Sequence, residues 1–293
     1  MVVNYKPLNN ILDYDAYPLP KPSVLLSQIS QSKIFSKFDL KFGFWQVGIK
    51  EEDKWKTTSL VPEGHFEWNI MPFGLVNAPY SFQRIMDETF EGMDDFLKKY
   101  IDDVLIHSAD IPSHIKHLNI FYKRVKEKSI VLSDSKMKLF QTMIDFLGYV
   151  IQYGSYYIMQ HSLDFIDKFP DIITDKTQLQ RFLGSLNYIS KFVRHCAQDR
   201  VLLNKRLQKD PIPWTKDLTE ADRRIKGKIR NISPLSTINE EWPKTIITDA
   251  NDIGWGAIFC QHDPNKKKME YEIFQYASGI SSTTQKNWFN LKK

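Results

Sequence analysis

Residues 98–108 read KKYIDDVLIHS. Asp102 and Asp103 stand side by side within an apolar run of Tyr100, Ile101, Val104, Leu105 and Ile106. Burying charge is expensive unless the charge is paired or holds a cation. An Asp-Asp pair is also ordinary turn chemistry. Successive side chains on a regular strand point to opposite faces. Both acids therefore reach one site only from the bend of a hairpin, with strands predicted over 97–101 and 104–107. From this stretch alone, a structural turn and a metal-binding turn stay open as readings.

Upstream, YPLPKP (17–22) excludes helix by its closely spaced prolines. In 24–38 helix-like spacing gives way to alternation. Phe38, Leu40, Phe42 and Phe44 share one parity, and Lys37, Asp39 and Lys41 the other. This period of two predicts a strand with Asp39 opposite the phenylalanines. HFEWNI (65–70) predicts a second strand, and Asn77-Ala78-Pro79 opens a helix through SFQRIMDETFEGM. After the hairpin, Ile115, Leu118, Phe121, Tyr122 and Val125 give a helical stripe. MIDFLGYVI and SYYIM read as a hairpin around Gly154. Beyond Pro170 come helical stretches at 177–193 and 201–207, then IPWT and a polar helix. KTIITDANDIGWGAIFCQ (244–261) reads strand, turn, strand, with Gly254 and Gly256 at the bend. This order describes an α+β sheet domain, a basic helical segment and the start of a second sheet domain.

A chain of 293 residues with 42% hydrophobic content is long enough for roughly two domains. No apolar run approaches the ~18 residues of a membrane-spanning helix, and MVVNYKPLNN lacks the features of a signal peptide. Cys196 and Cys260 have neither metal-ligand spacing nor a disulfide framework. An intracellular location, not a secreted one, is expected. Net charge is +5, yet residues 176–230 hold 14 Lys and Arg against five acids. Such a segment suits a polyanionic partner, or equally a pair of well-solvated amphipathic helices. His114 and His117, three apart on a helix, lack further ligands and read as surface histidines, not a zinc site.

A third acid on a neighbouring strand, Asp39, would complete a cluster of like charges that needs cations to stay ionised. Hard divalent ions with oxygen ligands meet that need, and two of them about 4 Å apart form the clamp of nucleotidyl transfer. Spacing alone does not bring Asp39 to Asp102.

Several ordered motifs resemble those of the reverse transcriptase family and together span nearly the whole chain. VVNYKPLN (2–9) resembles its fingers motif and FSKFDLKFGFWQV (35–47) its first palm carboxylate motif. MPFGLVNAPYSFQR (71–84) resembles the template-contacting motif and YIDD (100–103) the catalytic hairpin. FLGYVI (146–151) resembles the primer grip and LQRFLGSLNYISKFV (179–193) the thumb. The resemblance leans toward gypsy-type retrotransposons and plant pararetroviruses. It implies a right-hand polymerase, with fingers and palm over 1–152 and a thumb-like helical segment over 153–212. A linker helix over 213–242 and the incomplete start of an RNase H-like α/β domain over 243–293 would follow.

By position, the resemblance makes Asp39, Asp102 and Asp103 the catalytic and metal-binding acids, for two Mg²⁺ ions with Mn²⁺ as an alternative. Asp39 and Asp102 would bridge both ions and Asp103 would assist. Phe44 matches the steric gate against a 2′-hydroxyl; its other reading is a core aromatic. Phe73 stands where many retroviral relatives carry glutamine. Gly74, with Lys6 as the one basic residue left in the fingers motif, falls beside the incoming nucleotide, and Pro79 beside the template. Lys136 matches a lysine proposed to protonate pyrophosphate, or is a solvated loop lysine. Tyr100, Gly148 and Tyr149 fall in the segments implied to touch nucleic acid. Arg181, Lys191, Arg194, Lys205 and Arg206 would track phosphates without reading bases.

The implied partners are an RNA or DNA template with its primer, RNA–DNA hybrid and deoxynucleotides, with no membrane partner; the oligomeric state stays open. IITDANDIGWGAIF (246–259) resembles the opening strands of a ribonuclease H domain, with Asp249 as its first metal-binding acid. The family's next acid follows a stretch like STTQKNWFNLKK (282–293), where this sequence stops, so RNA cleavage and a complete C-terminal sheet are not expected. A DNA polymerase working on RNA and DNA templates is therefore the reading, with an inactive viral relic that binds nucleic acid as the alternative. Phe44 disfavours an RNA-synthesising polymerase.

Overall fold

The helical stripe and strand alternations produce the elements of a computed structural model, which describes residues 3–29, 32–209, 212–251, 254–266 and 270–281. The chain divides into two units, Met1–Phe146 and Leu147–Lys293. The first contains α1 (Lys6–Asn9), α2 (Pro22–Ser27), β1 (Ile34–Asp39), β2 (Ser59–Val61), β3 (Gly64–Phe66) and α3 (Ala78–Thr89). It continues through β4 (Leu97–Tyr100), β5 (Asp103–Ser108), α4 (Ile111–Glu127), β6 (Lys138–Gln141) and β7 (Met143–Phe146). Its main sheet is antiparallel with the order β4-β5-β1-β6. The core joins Phe38, Val104 and Ile106 of the sheet to Phe82, Met86 and Phe90 at α3 and to Leu118 and Phe121 of α4. Phe121 is fully buried; truncating such a ring to alanine costs about 3–5 kcal/mol.

α4 starts where Asp110 caps it, its carboxylate accepting from Ser113 N–H at 2.8 Å. The inward face of α4 differs from the expected stripe. Ile115 and Tyr122 are exposed, and the buried row runs His114, Leu118, Phe121 and Val125. His114 is thus a core residue and not a surface one. Serine hydroxyls make that burial tolerable. Its Nε2 lies 2.7 Å from Ser36 Oγ and its Nδ1 2.8 Å from Ser108 Oγ. Ser108 Oγ also meets His117 Nδ1 at 2.8 Å, and His117 stacks on Phe96 with ring centroids 4.2 Å apart. Buried His107 pairs with Ser32 Oγ at 2.8 Å.

Two further expectations shorten in the structure. HFEWNI is strand only to Phe66, and Ile70 makes one isolated bridge to Gly48. MIDFLGYVI is broken at Leu147 and Gly148, both at positive φ.

The second unit begins with the hairpin of β8 (Tyr149–Gln152) and β9 (Ser155–Ile158). Tyr153 and Gly154, both left-handed, form its two-residue loop. Four helices follow: α5 (Gln160–Asp167), α6 (Lys176–Ile189), α7 (Cys196–Asn204) and α8 (Lys216–Arg230). α6 buries Leu179, Phe182, Leu183 and Leu186, and α8 buries Leu218, Ala221, Ile225 and Ile229, both at helical spacing. β10 (Leu235–Ser236) pairs with β9. β11 (Lys244–Ala250), β12 (Gly254–His262) and β13 (Tyr271–Ile280) form an antiparallel meander. Gly254 and Gly256 lie within β12, not at the bend. The stretch 282–293, read as leading to a second ribonuclease H acid, lies outside the described residues.

The histidine cluster makes the first unit acid-sensitive. Burial lowers His107 to about 3 and His114 to about 4, and also lowers His117. His107 and His114 stay neutral in the fold while the unfolded chain protonates them below about pH 6.5. Stability should be full above pH 6.5 and fall as pH drops toward 4, by up to about 1.4 kcal/mol per pH unit for each ring. Urea unfolding followed at pH 7.5, 6 and 5 checks this, with His114→Gln expected to flatten the slope. A wild-type slope near zero over that range would remove the argument.

Candidate active site

The site is assembled at one end of the main sheet of the first unit. β1 and β5 pair so that Asp39 lies across from Asp103, and Tyr100 pairs with Asp103 on the other side. Ile101 and Asp102 form the two-residue turn between β4 and β5. Leu40 N–H donates to Asp102 O at 3.1 Å, which holds the turn against the end of β1. Ile101 adopts φ 54°, a left-handed conformation costly for a β-branched residue. Gln83, fully buried on α3, accepts from Ile101 N–H at 2.7 Å and donates to Asp87 at 3.1 Å. A strained turn is thereby pinned from below by a buried amide.

β1 ends at Asp39, so the alternation through Phe42 and Phe44 overruns the strand. Phe42 turns left-handed at φ 54°, is 59% exposed and stacks on Trp45 at 5.2 Å. The short 3-10 turn Gly43–Gln46 then passes beside the hairpin tip. A Cβ on Gly43 would sit 3.1 Å from the Cβ of Asp102 and 3.3 Å from the ring of Phe82. The missing side chain lets the two segments approach.

Each outer acid carries a lysine. Lys136 Nζ lies 3.1 Å from both oxygens of Asp39, and Lys37 Nζ lies 3.2 Å from Asp103. Hydrogen bonding to Asp39 raises the Lys136 ammonium above its ordinary range. Asp102 is raised as well, by partial burial first and then by the charges of Asp103 and Asp39. Its own peptide backbone opposes that shift. Among the described residues no three acidic, histidine or cysteine side chains already stand at metal-holding distance. The donor chemistry nonetheless fits a hard divalent cation: three carboxylates whose mutual repulsion is felt at Asp102, partly offset by two lysines.

Around this centre, Phe44 packs edge-on against Phe82 at 5.1 Å and Phe73 at 5.4 Å. Phe73 is 54% exposed, so the pair offers an open aromatic face. Gly74 has φ 100°, and Asn9 of α1 brackets its loop. The Asn9 amide donates to Gly74 O at 2.8 Å and its oxygen accepts from Val76 N–H at 2.9 Å. Lys6 is exposed on the same short helix, and Pro79 lies in the first turn of α3.

In the second unit the expected nucleic-acid residues fare differently. Tyr188 Oη donates to Gly148 O, and Tyr188 stacks on Tyr149 at 4.6 Å. Gly148, at φ 83°, has no room for a Cβ, which would meet Tyr188 Oη at 2.6 Å. Arg181 is exposed, as is Arg194, whose guanidinium lies 5.1 Å from the Tyr276 ring. Lys191 instead turns inward onto Tyr149. Much of the basic character of 176–230 is paired with acids of the same unit, mostly at the surface. Arg223 meets Asp171, Arg224 and Lys228 meet Asp199, Lys226 meets Asp222 and Arg230 meets Asp167, all within 2.9 Å. Arg206 donates to the backbone oxygens of Ile212 and Thr174. Lys205 is exposed. Asp249 is exposed on β11 and lines a cavity of about 140 Å³ with Arg194, His195 and Tyr276, and among the described residues no further acid lines it.

Sequence reasoning named Asp39, Asp102, Asp103 and Lys136, and the structure gathers them. It passed over Asn9, Lys37, Gly43, Gln83 and Tyr188. Gln83 carried a signal, an amide at an inward position of an apolar helical stripe. Gly43 carried one too, the glycine among large aromatics after Asp39.

Comparison with known proteins agrees with this geometry. The family model "Reverse transcriptase (RNA-dependent DNA polymerase)" matches residues 1–151, and "RNase H-like domain found in reverse transcriptase" matches residues 214–293. The enzymatic polyprotein of cauliflower mosaic virus (strain Strasbourg) is 40% identical over all of this chain, which covers 43% of that polyprotein. The genome polyprotein of petunia vein clearing virus (isolate Shepherd) is 37% identical, again over all of this chain but 13% of the polyprotein. The chain thus spans less than half the length of these viral relatives. The foamy viral protease-reverse transcriptase solved with RNA/DNA hybrid superimposes with a TM-score of 0.82 at 20% identity, covering 97% of this chain and 38% of that one. The same enzyme solved with dsDNA gives 0.84 at 20% identity, covering 97% and 59%. The fold is that of a reverse transcriptase followed by an RNase H-like domain. With a family match over more than half its length, this chain, similar throughout to pararetroviral polyproteins, belongs to the reverse transcriptase family.

Proposed function

We propose that this chain adds deoxynucleotides to a primer 3′-hydroxyl, copying RNA and DNA templates. The observation that carries this is the convergence of Asp39, Asp102 and Asp103 at one sheet end, on a turn held left-handed by Gln83. The foamy viral relative was solved with RNA/DNA hybrid and with dsDNA, which supports a nucleic-acid duplex as partner. Divalent cations bound to the three carboxylates would supply activation of the primer oxygen and stabilisation of the leaving pyrophosphate.

The protein's own groups do the remaining work. Asp39 and Asp102 hold the acid geometry, and the hairpin fixes it without rearrangement at the moment of reaction. Lys136 stands beside Asp39, whose carboxylate keeps the ammonium charged, and would neutralise the departing phosphate by that charge; any protonation would need the lysine to leave Asp39. Phe44, wedged between Phe82 and Phe73, bounds the sugar pocket and excludes a 2′-hydroxyl by bulk. The Gly148–Tyr149 turn supports the primer, and Arg181 and Arg194 meet backbone phosphates from an exposed position.

Extension of a labelled primer on an RNA template with Mg²⁺ and deoxynucleotides tests the reading. Product should form with the wild type and vanish with Asp102→Asn; no product from a folded wild type would refute it. Phe44→Val is expected to raise ribonucleotide use relative to deoxynucleotide by tenfold or more, read as a ratio of kcat/KM values. An unchanged ratio would return Phe44 to the core. Gln83→Leu and Gly43→Val each disturb the hairpin tip. They should lower kcat by about 10²-fold, the scale of an ångström misplacement, while far-UV circular dichroism stays native. Near-wild-type turnover in both variants would mean that the tip does not depend on these contacts.

A further inference from the structure

Lys191 was expected to reach outward to phosphate, and its surroundings are of another kind. Its ammonium lies 4.2 Å from the ring centroid of Tyr149, 5.0 Å from that of Tyr156 and 5.6 Å from that of Phe192. All three rings are buried. Among the described residues no carboxylate or hydrogen-bond acceptor partners it. The half-buried cation therefore faces ring quadrupoles, in an aromatic cage of the type that recognises alkylammonium groups. Such a site is expensive. Burial pulls the Lys191 ammonium down to about 8, still mostly charged at neutral pH. An apolar side chain of similar volume would fill the same space without the desolvation cost. Stability therefore does not explain the charge.

The cage sits directly under the Gly148–Tyr149 turn. Tyr149 is packed between the Lys191 ammonium and the Tyr188 ring, and Tyr188 Oη donates to Gly148 O. Tyr156, the second wall, donates to Phe274 O at 2.9 Å and pairs through its backbone with Leu235. Its ring is thus fixed from β13 and β10. A half-buried charge against this turn, uncompensated by any described acid, is also less screened by salt than a surface charge.

We infer that Lys191 is a positioning residue for the Gly148–Tyr149 turn, a caged cation that orders the Tyr149 ring and adds positive potential where the primer's phosphodiester backbone would lie. The inference rests on the polymerase reading above. Lys191 makes no direct phosphate contact in this arrangement.

The whole chain with Lys191→Met, Lys191→Arg and Lys191→Ala tests it. Three quantities are read: thermal midpoint, Kd for a primer–template duplex by fluorescence anisotropy, and kcat and KM for the deoxynucleotide. Lys191→Met should keep or raise the midpoint, weaken duplex binding three- to tenfold and leave the nucleotide KM unchanged. Lys191→Arg, which preserves the cation over the rings, should bind as the wild type does. In Lys191→Ala, propylammonium at millimolar concentration should restore duplex affinity where propanol does not. Wild-type affinity in Lys191→Met, or an affinity loss that only tracks a lowered midpoint, overturns the inference and leaves the polymerase reading standing. A wild type that binds no primer–template overturns both.

Discussion

Three carboxylates must share one end of a sheet, and the first unit is organised around that demand. Like charges at close range repel, and the repulsion is visible in the raised Asp102. Strand geometry opposes the arrangement as well, because adjacent residues on a strand face opposite ways. The chain meets both difficulties with one device, a two-residue turn in which Ile101 is forced left-handed. The strain is held by Gln83 from α3 and by the backbone of Leu40, and the charge is offset by Lys136 and Lys37. The left-handed Phe42 and side-chain-free Gly43 follow from the same need, since the next segment must pass close to the hairpin tip.

The core serves this end of the sheet. Phe38 and Val104 anchor the two strands that carry Asp39 and Asp103, and Phe82, next to Gln83, belongs to the same cluster. A change in that packing would be transmitted directly to the turn, because helix, amide and turn are one connected chain of contacts. Further along the sheet, polar burial replaces apolar burial. His107, His114 and three serines are joined by hydrogen bonds, and burial keeps the two rings neutral.

Much of this was legible in the sequence, for identifiable reasons. YIDD and the alternation around Asp39 carry local chemistry that survives without tertiary knowledge, and the α6 stripe follows helical spacing, as do Leu118, Phe121 and Val125 of α4. What was not legible depended on long-range partners. The alternation past Asp39 looked like continuing strand, because nothing local says that Phe42 turns left-handed. His114 looked exposed, because an imidazole becomes a core residue only when Ser36 and Ser108 are brought to it. The basic stretch 176–230 looked like a phosphate track, yet Asp167 and Asp171, outside that window, pair with part of it. Lys191 looked like one more surface cation until Tyr149 and Tyr156 closed around it.

In the proposed function, the strained hairpin and Asp39 together would hold divalent cations. Equilibrium Mn²⁺ binding by electron paramagnetic resonance, with primer–template and deoxynucleotide present, reads this independently of turnover. Ions should be taken up by the wild type and lost when Asp39 and Asp102 are both changed to Asn, with Lys136→Met retaining them. Equal uptake by the wild type and the doubly substituted chain would contradict it.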